Sequence, residues 1–135
     1  MTRYLLDTNH LSAPLNNDAG IQQGLRDARL RGDRVATCVP VLCELQAGIA
    51  FTAQRAQNQH RLSQLLRQVR LWPLDADTAF FYGELFYELR RKGRALSQVD
   101  IMLAALARQV KATVVSTDRD FDAVPGIQTE SWLAH

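Results

Sequence analysis

Only two cysteines, Cys38 and Cys43, occur in 135 residues, and they form no C-x-x-C pair. That count excludes a disulfide scaffold and a thiolate zinc site, and predicts two reduced thiols, buried and structural. Histidine is as sparse: His10, His60 and His135 are too scattered to offer a metal or a nucleophile any ligand spacing. An excess of charge of one sign is missing too. Lys and Arg number 16 and Asp and Glu 14, a formal net charge of +2, so bulk basicity announces no nucleic-acid partner and positive charge has to act locally. No apolar run approaches a membrane span, and Tyr4-Leu5-Leu6 is too short for a signal peptide, which predicts a cytoplasmic protein. Repeats, linkers and low-complexity segments are absent.

What is present is apolar side chain, at 47 % of residues, enough for the core of one domain spanning residues 1–135. Tyr4-Leu5-Leu6 predicts a first central strand ended by Asp7-Thr8-Asn9, which opens a helix. A loop at 16–20 precedes a polar helix over 21–31 that Gly32-Asp33 stops. Residues 35–39 predict a buried strand, with Pro40 in the first turn of a helix whose Leu42, Leu45 and Ile49 face the core. A further helix is expected over 53–69, with Leu62, Leu65, Leu66 and Val69 inward, then an edge segment at Leu71-Trp72-Pro73-Leu74. Asp77-Thr78 is expected to start a helix with Phe81, Leu85 and Leu89 on one side, ended by Gly93 after the basic turn Arg90-Arg91-Lys92. Ser97-Gln98-Val99-Asp100 has capping-box form ahead of an apolar helix over 101–110. Thr113–Ser116 predicts another buried strand, and Ile127 a last short one. Strands separated by helical patterns imply an α/β fold with a parallel sheet and helices on both faces.

In such sheets function gathers at the carboxyl ends of the strands. Asp7 and Asp118 fall just past strand ends, and Glu44 and Asp100 in what read as first turns of helices. Each alone has a structural reading, as a cap, a solvated helix residue or a turn former. Together they make a nest of oxygen ligands that cannot all stay ionised without a cation. A hard ion such as Mg²⁺ or Mn²⁺ takes a few carboxylates, several waters and a substrate phosphate, which suits phosphodiester hydrolysis without a nucleophilic side chain. The basic run Arg90, Arg91, Lys92 and Arg94 could hold phosphates beside the acids, or could simply balance a helix dipole. Tyr82, Phe86 and Tyr87 read as core or dimer surface.

Four blocks in this order resemble the PIN-domain family, and within it the VapC-type ribonuclease toxins of toxin–antitoxin pairs. They are Tyr4-Leu5-Leu6-Asp7-Thr8-Asn9, Val41-Leu42-Cys43-Glu44-Leu45-Gln46-Ala47-Gly48, Asp100-Ile101-Met102-Leu103-Ala104-Ala105, and Val115-Ser116-Thr117-Asp118-Arg119-Asp120-Phe121. The closing Val124-Pro125-Gly126-Ile127 with Trp132 is similar to the family's tail. The resemblance implies an α/β/α sandwich around a short central parallel sheet. It further implies a Mg²⁺- or Mn²⁺-dependent endoribonuclease with Asp7, Glu44, Asp100 and Asp118 as metal-binding and catalytic quartet and Asp120 as an accessory metal ligand. Asn9 and Thr117 match polar positions that support the carboxylates. A homodimer is implied, as is a small antitoxin whose C-terminal segment blocks the acidic groove. Two alternatives stand beside it: a non-toxin nuclease of RNA processing, and a phosphoaspartate phosphatase or receiver with Asp7 attacked. The second is weakened by Asn9 where a phosphatase of that kind needs a second aspartate, and by the lack of lysine over 113–121, where a receiver needs one.

Overall fold

The computed structural model describes residues 1–12 and 19–133. The predicted loop at 16–20 lies for the most part outside them, as does His135. Among the described residues are five strands, β1 (Arg3–Leu6), β2 (Arg34–Thr37), β3 (Arg70–Leu71), β4 (Thr113–Val115) and β5 (Gln128–Glu130). Six helices among the described residues join them: α1 (Thr8–Ser12), α2 (Gly20–Arg31), α3 (Val39–Ala50), α4 (Arg55–Leu66), α5 (Ala76–Arg91) and α6 (Gln98–Val110). A 3-10 turn at Arg119–Ala123 precedes β5.

The sheet runs in the order β3-β2-β1-β4-β5 with every pairing parallel, as the alternation of strand and helix patterns predicts. Central strands of such a sheet are covered on both faces and therefore read as continuous apolar runs. Leu5, Leu6, Val114 and Val115 are fully buried accordingly. Chain order reverses at β1, whose neighbours are β2 on one side and β4 on the other. A parallel sheet opens a crevice at such a point, beyond the carboxyl ends of the two strands. The register Leu6 to Val115, prolonged by the Asp7 N–H donating to the Val115 carbonyl at 3.0 Å, brings residues 7 and 116 to one lip.

Several local expectations shift. The second strand ends at Thr37, because Val39 already begins α3, with Pro40 beside it. The buried stripe of α3 is Val41, Leu45 and Ile49, and Leu42 is only partly buried. That spacing of four puts Cys43 on the opposite face, exposed, so only Cys38 of the two thiols is core. Glu44 consequently stands in the second turn of α3, not the first. Leu62 and Leu65 are buried as expected, while α4 ends at Leu66 and leaves Val69 beyond it. The capping box belongs to α5: Asp75 accepts from the Thr78 N–H at 3.0 Å and Thr78 Oγ1 accepts from the Asp75 N–H at 3.0 Å. Ser97 caps α6 one way only, accepting from the Asp100 N–H at 3.1 Å. Among the described residues no helix is long and apolar enough to cross a membrane.

Candidate active site

Asp7 sits one residue past β1 and is 4 % exposed. A carboxylate so placed costs free energy unless its oxygens find donors. One oxygen accepts from the Thr8 N–H at 2.7 Å and the other from the Ser116 hydroxyl at 2.7 Å. Burial nevertheless holds its proton affinity above the ordinary carboxylate value. The Ser116 and Thr8 bonds pull the other way, and the charges of Glu44 and Asp118 add to the rise.

Asp100 lies in the first turn of α6, half-buried, and its pKa is pushed up to about 6, first by burial and then by the charge of Asp7, with Asp118 and Glu44 contributing. Four acids from four separate chain segments thus share one electrostatic neighbourhood. Glu44, exposed on α3, accepts from the Thr8 hydroxyl at 2.8 Å, which ties α3 to the Asp7 turn. Asp118 accepts from the Asp120 N–H at 2.9 Å and heads the 3-10 turn. Among the described residues no three His, Cys, Asp or Glu side chains close into a ready cage. The acids feel one another as charges without converging on a point. That openness fits Mg²⁺-like ions, which take one or two carboxylates and leave the rest of the shell to water and phosphate. An all-oxygen donor set in which two members already resist ionisation has the chemistry to accept a hard divalent cation.

Behind Asp7 lies a network that motif reading passed over. Asn9 Nδ2 donates to Ser116 Oγ at 3.2 Å, and Asn9 Oδ1 faces His10 Nδ1 at 2.8 Å and the Thr117 N–H at 3.4 Å. His10 is fully buried, and its Nε2 accepts from the Trp132 N–H at 2.9 Å. Asn9 thus bonds Ser116 and not the carboxylate itself, and the hydroxyl on the carboxylate is that of Ser116. Thr117 contributes its backbone and is itself exposed. Asn9 spends its amide on Ser116 and His10, which leaves the phosphoaspartate reading without an acid at that position.

Asp120 is exposed within the 3-10 turn. Arg90, Arg91, Lys92 and Arg94 are exposed at the end of α5. The Arg90 guanidinium lies 4.9 Å from the Phe86 ring centroid and that of Arg91 5.7 Å from Tyr87. Arg90 and Arg94 line an open groove of about 460 Å³ whose wall includes Phe86, Leu96 and Ile101, the residue after Asp100. These two arginines of the cluster are thus carried toward the start of α6. Tyr82 is partly buried, and Tyr87, 62 % exposed, belongs to the surface.

Residues 4–127 match the PIN domain family. The chain is similar to "Ribonuclease VapC2" of Rickettsia felis, 29 % identical over 96 % of this chain and 97 % of that protein. It is also similar to "Ribonuclease VapC5" of Mycobacterium tuberculosis, 33 % identical over 74 % of this chain and 76 % of the relative. Its fold superposes on a chain in the crystal structure of VapBC2 from Rickettsia felis bound to a DNA fragment from their promoter. There the TM-score is 0.89 at 28 % identity, covering 97 % of this chain and 99 % of the other.

Proposed function

The chain belongs to the PIN-domain family and, within it, to the VapC ribonucleases, and from that membership we propose that it is the Mg²⁺- or Mn²⁺-dependent endoribonuclease toxin of a toxin–antitoxin pair. The observation that carries this reading is the shared neighbourhood of Asp7, Glu44, Asp100 and Asp118, where burial first and then the charges of the other three acids push the Asp100 pKa up to about 6. Asp7, Glu44, Asp100 and Asp118 would hold the ion, with Asp120, two residues after Asp118, as an accessory. When bound, the ion supplies an acidified water and a counter-charge for the phosphate.

The chain's own residues do the rest. Ser116 and the Thr8 N–H fix both oxygens of Asp7, so its orientation is set before any ligand arrives. The Thr8 hydroxyl likewise holds one oxygen of Glu44. Arg90, Arg91, Lys92 and Arg94 offer charge to flanking phosphates along the α5–α6 groove. RNA is the substrate this reading assigns, and the cytoplasm the place where it is met. A small antitoxin would silence the groove by presenting arginine to the carboxylates, a bidentate match that replaces the cation. The exposed Phe80, Phe86 and Tyr87 of α5 give a homodimer an apolar surface to cover.

The test is cleavage of single-stranded RNA by the purified protein with Mn²⁺ and its loss in EDTA, repeated with Asp7→Asn. Activity that survives EDTA or the substitution would sink the mechanism. Expression of the protein alone separates the toxin from a nuclease of RNA processing. Growth arrest relieved by Asp7→Asn supports the toxin, and normal growth with active, folded protein favours the processing enzyme.

A further inference from the structure

We propose that His10 is a positioning residue for the reaction, tying the C-terminal segment at Trp132 through Asn9 and Ser116 to the Asp7 carboxylate. The proposal rests on the nuclease reading of Asp7 and extends it to a residue outside the acidic set.

The direction of every bond in this chain is forced. A backbone N–H can only donate, so His10 Nε2 accepts from Trp132 at 2.9 Å and the ring proton sits on Nδ1. That proton is given to Asn9 Oδ1 at 2.8 Å, where the Thr117 N–H also donates. With its oxygen turned to two donors, the Asn9 amide must present Nδ2 to Ser116 Oγ, 3.2 Å away. Ser116 Oγ receives a second donor, the Asp118 N–H at 3.0 Å. Both lone pairs of the hydroxyl are then occupied, and its own hydrogen is left for Asp7 Oδ2 at 2.7 Å. Three backbone N–H groups, from residues 117, 118 and 132, thereby set the polarity of a network that ends on the carboxylate. Buried networks satisfied at every member hold their groups in one arrangement. The far anchor is itself seated: Trp132 meets the Tyr4 ring edge-on at 5.1 Å and lies against Gly24, where a Cβ would collide with the indole.

If His10 were only core filling, Phe would replace it at little functional cost. Partners that orient a ligand from behind are worth roughly 10- to 100-fold in metal affinity or activity. His10→Phe should therefore lower kcat at saturating Mn²⁺ by about tenfold or more, with KM for RNA unchanged. It should also weaken Mn²⁺ binding measured by calorimetry. His10→Leu removes both the acceptor for Trp132 and the donor for Asn9 with a side chain shaped differently from Phe, and should lose kcat likewise, which covers the case of a poorly folded Phe variant. The double variant His10→Phe, Ser116→Ala should lose no more than the worse single one, because both act through one chain. Multiplying losses, or unchanged kcat and Mn²⁺ affinity with only a lower melting temperature, would overturn the proposal.

A long-range proton–nitrogen spectrum of the metal-free protein reads the network without catalysis. It should show His10 as the Nδ1–H tautomer, with Nδ1 shifting in Ser116→Ala. An Nε2–H ring refutes the proposal whether or not the enzyme is active. A wild type that shows the Nδ1–H tautomer but cleaves no RNA refutes the nuclease reading instead.

Discussion

Replacing Asp100 with Asn should make the metal-free protein more stable at neutral pH while abolishing its activity. In the folded chain the Asp100 carboxyl is raised from 3.8 to about 6, first by burial and then by Asp7, Asp118 and Glu44. At about 1.36 kcal/mol per pK unit that amounts to about 3 kcal/mol. The group is half-buried, so solvent screening reduces this to about 1–2 kcal/mol. The first turn of α6 works the other way, favouring a negative charge by about 0.3–1 kcal/mol. About 1 kcal/mol remains for the neutral amide to recover, or about 3–4 °C in a chain of this size.

The sign follows from linkage. A carboxyl whose folded pKa lies above its unfolded value binds protons more tightly when folded, so its contribution to stability falls as pH rises from about 4 through 6. Below pH 4 both states are protonated and the Asn variant has no advantage. Above 6 the advantage is full. Thermal melts in EDTA at pH 4 and pH 7.5 should show the gap opening between them. Saturating Mn²⁺ should erase it by stabilising the wild type, by about 2.7 kcal/mol at a hundredfold excess over Kd, and the variant less. An Asn variant that melts at or below the wild type at pH 7.5 in EDTA would refute the idea that burial and the neighbouring carboxylates disfavour the Asp100 charge.

Replacing Arg90, Arg91 and Lys92 together with Ala should weaken RNA binding and flatten its salt dependence, by about 0.7 in slope for every phosphate no longer neutralised, with Mn²⁺ affinity intact. An unaltered slope would return the cluster to balancing the α5 dipole. Gly24→Ala should cost about 1–3 kcal/mol by displacing the Trp132 indole, read as a lower melting temperature and a changed tryptophan emission. An unchanged emission would count against that packing. Cys43 should react with iodoacetamide in the folded protein while Cys38 stays protected, since burial pushes its thiol up to about 11; mass spectrometry of the labelled chain distinguishes the two.

The parallel sheet was legible because its signals are local. Tyr4-Leu5-Leu6 and Thr113-Val114-Val115 are apolar runs too short for helices, and each is followed by turn-forming residues. What local pattern missed was phase. Leu42, Leu45 and Ile49 satisfy a helical stripe as well as Val41, Leu45 and Ile49 do, and only the docking of α3 decides between them. That one-residue rotation also decides the exposure of Cys43. The start of α5 was misplaced for a related reason. Asp75 and Asp77 both suit an N-cap, and it is Thr78, three residues after Asp75, that closes the box.

The acidic residues were visible because most mark the edge of an element that the sequence already delimits, and the sheet order brings the ends of β1 and β4, with Asp7 and Ser116, to one lip. Ser116 could have been found by the same logic. It ends the β4 run as Asp7 ends β1, and adjacent parallel strands in register deliver their next residues to each other. His10 could not. A lone histidine inside a short helix is ordinary core, and its value depends on the backbone of Trp132, 122 residues away, arriving with an N–H to spare. That arrival follows from β5 joining the sheet beside β4, and β5 is three exposed residues with almost no apolar signature. The acids proposed to hold a cation and the residues that would keep them in place are therefore written differently in this chain, the first as motif and the second as topology.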